Sequence, residues 1–308
     1  MNSGLILLNK KPGITSFDAL RDIKRALKTG KVGHTGTLDK FASGLLAVLA
    51  GRALKLSRWF SHCDKKYRGR ICFGVETDTL DPEGNVIAEA AVPAREKVEQ
   101  VLSQFTGEIL QEPPVYSAIH VNGQRASSLA RSGCALEMKK RPVTVYQLEI
   151  ISWQPPFADI FVHCSSGTYI RSLARDIAIA AGSRAHLCEL ARTQIAGFCL
   201  GEIGHEQPEM LKERPCENHY SVLPIDKTVI SNLGMPWFEV SPQEAESIFH
   251  GKPPGSILDG KPMFPAVKCD NAVRRDYLHN QSAAIFCKEA LAAVVEKADG
   301  KWRYGCVI

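Results

Sequence analysis

The chain has 308 residues, 44% of them hydrophobic and 23% charged, the composition of an ordinary soluble globular protein with room for one large domain and a small one. No apolar stretch approaches the roughly 20 residues of a membrane-spanning helix, and the short run Leu5 to Leu8 meets Asn9, Lys10 and Lys11 at once, so neither a secretory signal nor a membrane partner is expected. The net charge of +5 is uneven: residues 1–70 carry 15 Lys/Arg against 4 Asp/Glu, the remainder 23 against 29, so the basic character lies at one end, as for a surface that meets a polyanion or, equally, a set of solvated helix faces. The ten cysteines are scattered with no C-x-x-C pair, which reads as free thiols in a reducing cytoplasm and not as a metal site.

Leu5 to Leu8 reads as a short strand, with a turn at Lys10-Lys11-Pro12-Gly13. Thr15 or Ser16 then caps a helix whose apolar positions are Phe17, Leu20, Ile23 and Leu27; its other face carries Arg21, Lys24, Arg25 and Lys28, and Gly30 is placed to end it. After the loop Gly33-His34-Thr35-Gly36-Thr37-Leu38-Asp39, a second helix is expected from about Ser43 to Leu49. Tyr67 to Val75 turns β-like, Thr77 to Gly84 is a turn-rich connection, and Arg95 to Phe105 is helical by period. Pro113-Pro114 is a break; Val143 to Trp153 and Ile160 to Cys164 are strands; Tyr169 to Ala181 is a helix stopping near Gly182. Residues 205–225 are polar and proline-spaced, a linker to a β-rich segment that includes the apolar run Ala290 to Val295, the turn Asp299-Gly300 and a last strand through Val307. The pattern predicts an α+β protein with a mixed, largely antiparallel sheet and flanking helices, followed by a small β-rich domain.

Taken locally, the loop at 33–39 leaves two readings open. Its glycines let the backbone approach a ligand closely, yet Asp39 could equally cap a following helix. The glycine spacing is neither that of a Walker A loop nor a dinucleotide fingerprint.

Several motifs together decide more. Gly33-His34-Thr35-Gly36-Thr37-Leu38-Asp39 with Ala42-Ser43-Gly44, then Lys66-Tyr67 and Thr77-Asp78-Thr79-Leu80-Asp81, follow one another along the chain. Pro113-Pro114-Val115-Tyr116-Ser117-Ala118 comes next, with Gly123, Arg125, Leu129, Ala130, Arg131 and Gly133 behind it. Last come Cys164-Ser165 and Gly167-Thr168-Tyr169-Ile170-Arg171-Ser172-Leu173-Ala174-Arg175-Asp176, trailed by Ala185-His186-Leu187 and Arg192-Thr193. In order and spacing these resemble the motifs of the TruB-type tRNA pseudouridine synthases over residues 5 to 200. The departures are Lys40-Phe41 for the usual Pro-Leu, Ile119-His120 for Leu-Lys, Ser127 for Tyr, Ser166 for Lys and Ala191 for Arg; they touch RNA-facing candidates and leave the catalytic set intact.

The resemblance implies the pseudouridine synthase fold over residues 1–222, a PUA-like RNA-binding domain over 223–308, and isomerisation of the tRNA T-loop uridine conventionally numbered 55, with no cofactor and no metal. It implies catalysis by Asp39, Tyr67 and Arg171. Arg171 would sit against Asp39 and favour its ionised form; Tyr67 would stack on the uracil and help move the C5 proton. His34 would fill the space of a flipped-out base, Tyr169 would line the pocket, and Gly33, Thr35 and Gly36 would complete the substrate loop. Arg21, Lys24, Arg25, Lys65, Lys66, Arg68 and Arg70 are the candidates for phosphate contacts. The expected partner is the T-stem-loop of tRNA, met by a monomer in the cytoplasm. A tRNA-folding chaperone without catalysis is the main alternative. A methyltransferase would need a donor site, and a glycoside hydrolase would need a second carboxylate beside Asp39; the loop has neither.

Overall fold

A computed structural model of the chain describes residues 3–117, 119–121, 123–126, 129, 138–199, 220–265 and 281–308. In chain order, β1 (Gly4–Lys10), α1 (Ser16–Ala26), β2 (Val32–His34) and β3 (Ser43–Ala50) lead through a 3-10 turn to α2 (Ser57–Ser61). β4 (Lys65–Phe73) breaks at Gly74, whose φ of +96° suits glycine, and resumes as β5 (Val75–Thr77), which pairs with β6 (Val86–Glu89). α3 (Arg95–Leu102), β7 (Gly107–Gln111) and the short pair β8 (His120–Val121) and β9 (Gln124–Arg125) precede the long strands β10 (Arg141–Gln154) and β11 (Phe157–Cys164). α4 (Ile170–Ala180), β12 (Ala185–Ile195) and β13 (Phe198–Cys199) follow. The C-terminal part holds α5 (Lys227–Asn232), β14 (Trp237–Glu239), α6 (Pro242–Phe249), α7 (Gly255–Leu258), β15 (Ser282–Cys287), β16 (Ala290–Ala298) and β17 (Lys301–Val307). The expected linker lies mostly in 200–219, outside the described residues. Among the described residues no helix is long and apolar enough to cross a membrane.

The chain divides into two compact units. The first comprises Met1–Asp39, Gly44–Cys63 and Gln194–Ile308; the second comprises Lys40–Ser43 and Asp64–Thr193.

In the first unit, β1 runs antiparallel to β3 from Gly4↔Ala50 to Lys10↔Gly44. The expected helix from Ser43 to Leu49 is therefore a strand. Gly44 to Ala50 is buried at every position, and a fully buried apolar run of this length carries no period to separate the two states. α1 forms where expected, with the Thr15 hydroxyl accepting from the Asp18 N–H at 3.0 Å. It ends at Leu27, earlier than Gly30, because Lys28 takes the left-handed turn at φ +49°. Phe17 is the second correction on this helix: the buried stripe is Ser16, Leu20 and Ile23, one position round from Phe17, which is 67% exposed.

One apolar core gathers Leu5, Leu45 and Leu49 from β1 and β3, Trp59 and Phe60 from α2, Ile230 from α5, and Phe286 and Val294 from β15 and β16. Leu5 exchanges two backbone hydrogen bonds of 2.8 Å with Leu223. Trp59 Nε1 donates to Ser282 Oγ at 3.3 Å, and a Cβ at Gly305 would come within 2.8 Å of the Trp59 ring, so glycine there lets β17 lie flat on the indole. The C-terminal sheet has the order β14-β15-β16-β17, with β14 parallel to β15 and the rest antiparallel.

The second unit is built on the strand order β12-β4-β11-β10-β7. β4, β11, β10 and β7 pair antiparallel in turn. α4 packs on β4, and α3 packs on α4 and β10, giving the sheet with flanking helices that the pattern predicts. β12 and β7 are strands that period did not reveal.

One face of this sheet holds a titratable group of three. The Tyr146 hydroxyl donates to Asp64 Oδ1 at 3.2 Å, and the Tyr146 ring centroid lies 4.9 Å from that of His163. Burial pushes the Asp64 carboxyl from its ordinary 3.8 to about 6; burial, then the charge of Lys66, pulls His163 from 6.5 down to about 4. The two act in opposite senses. Protonated Asp64 adds stability that is complete below 3.8 and lost as pH rises through about 6, whereas neutral His163 adds stability that is complete above 6.5 and lost as pH falls through about 4. In urea titrations, Asp64→Asn should therefore abolish the decline in midpoint on going from about pH 4 to 6, and His163→Gln should blunt the decline on going the other way. Unchanged pH profiles in both variants would contradict these assignments.

Candidate active site

The loop that carries Asp39 is pinned along its length. β2 keeps Val32, Gly33 and His34 in register with Ala50, Leu49 and Val48 of β3. Thr35 extends that pairing: its N–H and its hydroxyl both donate to Ala47 O, at 3.0 and 3.2 Å. A Cβ at Gly33 would meet Leu54 Cδ2 at 3.0 Å. Leu38 is buried, and the buried Ser16 hydroxyl grips both its polar backbone atoms, accepting from its N–H at 2.8 Å and donating to its carbonyl at 2.9 Å. Asp39 follows this clamp directly, is half-buried, and precedes a strand; it caps no helix. Gly36 is half-buried beside the buried Thr35, so His34, Thr35, Gly36 and Asp39 sit on one short, fixed segment of the first unit.

Tyr67, Tyr169 and Arg171 belong to the second unit. Tyr67 is buried on the inward face of β4, opposite Val162 of β11. Tyr169 is the N-cap of α4, and its backbone is read in both directions by the buried Gln111 side chain: Tyr169 N–H donates to Gln111 Oε1 at 2.8 Å, and Gln111 Nε2 donates to Tyr169 O at 3.0 Å. Arg171, in the first turn of α4, has only 5% of its side chain exposed. Its Nη1 donates to Thr79 O at 2.7 Å and to Asp81 Oδ2 at 3.2 Å, and its Nη2 donates to Tyr116 O at 3.1 Å.

Asp81 is the residue to which sequence reasoning gave no role, although it ends the Thr77-Asp78-Thr79-Leu80-Asp81 motif. Its Oδ1 accepts from the Thr79 hydroxyl at 2.6 Å and from the Glu83 N–H at 3.0 Å, and its backbone carbonyl accepts from the Thr77 hydroxyl at 2.7 Å. Asp81 thus closes the 77–84 turn with one oxygen and holds Arg171 with the other. Leu187 N–H donates to Leu80 O at 3.1 Å, and His186 Nδ1 lies 2.9 Å from Val75 O, so the trailing Ala185-His186-Leu187 segment braces the same turn. The buried Ser117 hydroxyl has no hydrogen-bond partner among the described residues.

The basic candidates separate by burial. Arg21, Arg25 and Arg68 are exposed and Lys24 and Lys66 half-exposed, whereas Lys65 is buried on the Tyr67 face of β4, which takes it out of the surface set. Arg70 is engaged by Asp159 at 2.7 Å and Glu189 at 3.1 Å. Lys40, a departure from the family pattern, pairs with Glu83 at 2.9 Å. Ala118, Ser127, Ala130, Arg131 and Gly133 lie outside the described residues, as do the side chains of His120 and Arg125. Among the described residues no group of three or more His, Cys, Asp or Glu side chains is placed to hold a metal ion.

Known proteins share this architecture. The Cbf5 structure in a Cbf5-Nop10-Gar1 complex matches with a TM-score of 0.64 and 24% identity, over 96% of this chain and 78% of that one. An archaeal box H/ACA Nop10-Cbf5 complex matches with a TM-score of 0.65 and 22% identity, over 99% and 86%. At such identities the likeness is one of fold, and the fold is that of the pseudouridine synthases. A family model described as the N-terminal domain of the TruB family pseudouridylate synthases matches residues 24–170. The tRNA pseudouridine synthase B of Borreliella burgdorferi (strain ZS7) is 45% identical over 203 residues, 65% of this chain and 72% of the relative; that of Azoarcus sp. (strain BH72) is 41% identical over 260 residues, 84% and 85%. The chain belongs to the TruB family of pseudouridylate synthases.

Removing one partner of a buried ion pair strands the other charge, at a typical cost of about 3–5 kcal/mol. Asp81→Ala should lower stability by about that amount in chemical denaturation, and Asp81→Asn, which keeps the acceptor for Thr79 and Glu83, should lower it less. Equal stability of wild type and Asp81→Ala would show that Arg171 does not depend on this carboxylate.

Proposed function

We propose that the chain isomerises the T-loop uridine of tRNA at position 55 to pseudouridine, with ionised Asp39 as its catalytic carboxylate and without a cofactor. The observation that carries this reading is the Ser16 clamp on Leu38, which holds Asp39 at a fixed place inside a loop matching the family motif. A reaction centre needs such a carboxylate to be positioned before the substrate arrives.

The reaction breaks the N1–C1′ bond, turns the uracil and joins C5 to C1′; the proton lost from C5 is balanced by one gained at N1, so no redox partner or group donor is consumed. Asp39 would attack C1′, add to C6 of the ring, or stabilise positive charge at C1′ as the bond opens, and each route requires its ionised form. Arg171 is assigned as the cation that favours that form; its own dense hydrogen bonding to Thr79, Asp81 and Tyr116 makes it a rigid one. Tyr67 is assigned to stacking on the uracil and to moving the C5 proton.

A uridine stacked within the T-loop has to be flipped out, at a cost of about a few kcal/mol offset by contacts in the pocket. His34, on the same pinned segment as Asp39, is assigned to the vacated space, with Gly33, Thr35 and Gly36 supporting the approach and Tyr169 lining the pocket. Arg21, Lys24, Arg25, Lys66 and Arg68 are assigned to backbone phosphates. Residues 1–222 are read as the catalytic domain and 223–308, with the β14–β17 sheet, as a PUA-like domain adding to tRNA binding.

Incubating unmodified tRNA transcript with purified protein, then mapping by carbodiimide-blocked primer extension, tests the reaction and its position together. Asp39→Asn should lower conversion by about three orders of magnitude or more while binding tRNA as tightly as wild type. An Asp39→Asn protein that converts at the normal rate would falsify the assignment, and loss of binding in step with activity would favour a chaperone role. Affinity for tRNA should fall steeply with salt, each neutralised phosphate adding about 0.7–0.9 to the log–log slope; a flat dependence contradicts the phosphate contacts.

A further inference from the structure

We infer that the exposed surface at the N-terminal end of α1 is a stacking platform for an unpaired nucleobase of the bound RNA. This rests on the proposed reading that the chain acts on tRNA and adds a contact that the catalytic and phosphate assignments do not contain.

The platform is built from four observations. Phe17 is 67% exposed, and Ile14, three residues before it, is 41% exposed. The segment carrying Ile14 is fixed from beneath: Lys10 is 1% exposed, and its ammonium donates to Lys11 O at 3.0 Å and to Ile14 O at 2.7 Å. Lys10 thus ties down the turn that carries Ile14, and Phe17 follows in the first turn of α1. The Lys24 ammonium lies 5.0 Å from the Phe17 ring centroid, a cation–π contact on the surface. The fourth observation is charge. Asp18 and Asp22 are paired with Arg21 and Arg25, which leaves Lys11, Lys24, Lys28 and Lys31 without an acidic partner among the described residues.

Single exposed aromatics are ordinary on protein surfaces. An exposed ring with a second exposed apolar side chain three residues away, a lysine ammonium against it and further lysines along the same stretch of chain is the combination used to hold single-stranded nucleic acid, where bases stack on aromatic rings and phosphates meet cations. A base paired within a duplex offers no free face to such a ring, so the occupant is a looped-out or terminal base. Charge complementarity selects RNA over a protein segment, which would have to bring both an apolar side chain and several acidic groups.

The test uses the full chain with Phe17→Ala and Phe17→Trp. The side chain is mostly in solvent, so both variants should melt with wild type. Phe17→Ala should weaken binding to unmodified tRNA transcript by about fivefold or more, and should leave binding to a blunt RNA duplex without unpaired bases unchanged. Phe17→Trp should bind tRNA at least as tightly as wild type, and its emission, measured against the four native tryptophans, should be quenched on adding tRNA. Wild-type affinity in Phe17→Ala, an equal loss on the duplex, or unquenched emission in Phe17→Trp would overturn the platform. If wild type itself binds no tRNA, the reading of function fails first; if wild type binds and converts tRNA while Phe17→Ala matches it, only the platform fails.

Discussion

A guanidinium with 5% of its side chain exposed has to be surrounded by acceptors, and meeting that need for Arg171 shapes the second unit. Its partners come from two separate places in the chain, the 77–84 turn through Thr79 and Asp81 and the segment after Pro113-Pro114 through Tyr116. The neighbouring positions of α4 follow suit: Tyr169 is held by Gln111, and the Ser172 hydroxyl donates to Glu112 O at 2.7 Å. The first turn of α4 is thereby fastened to two other segments with polar contacts that tolerate little displacement. An apolar side chain of similar volume could match such a pair in stability, but it would leave the Thr79 and Tyr116 carbonyls to find other donors. A buried cation is thus an expensive way to fill a core.

The same logic recurs in the first unit with a smaller cation. Lys10 is buried and surrounded by the carbonyls of Lys11 and Ile14, and Ser16 uses one hydroxyl to satisfy both polar atoms of Leu38. Each device fixes backbone through a side chain, which is how the stretch up to Asp39, beyond the β2–β3 ladder, acquires a definite path.

How far the amino-acid sequence discloses this depends on the kind of force involved. Elements with a clear period could be read: α1 and α4 from their spaced Leu, Ile and Ala positions, β10 and β11 from alternation, and the 77–84 turn from Asp, Pro and Gly. β3 could not, since a strand buried on both faces and a buried helix present the same unbroken apolar run. β12 was hidden because its buried positions, Ala185, Leu187, Leu190, Arg192 and Ile195, keep no strict alternation and include an arginine, and its place is set by pairing with β4 and not by any local preference. Among the candidate site residues, Asp39, Tyr67 and Arg171 are assigned through motif order. Asp81 was visible as a letter and invisible as a partner, because an ion pair between residues 81 and 171 is a property of the folded chain. Lys65 and Phe17 failed in complementary ways: composition places a lysine outside and a phenylalanine inside, and the strand and helix phases at those two positions reverse both.

The division of the chain has a consequence for how the protein is made. The second unit is almost wholly one stretch, Asp64–Thr193, whereas the first needs Leu5, Leu49 and Trp59 to meet Phe286 and Val294. On a ribosome, the later-starting unit can close while the earlier one waits for its missing layer. At typical elongation speeds that wait is on the order of ten seconds, during which the indole of Trp59 and the leucines of β1 and β3 lack their final cover. A messenger truncated after residue 222 would leave them that way permanently, so nascent chains of this protein should be clients for a holding factor at the exit tunnel even though half the polypeptide behind them is already folded.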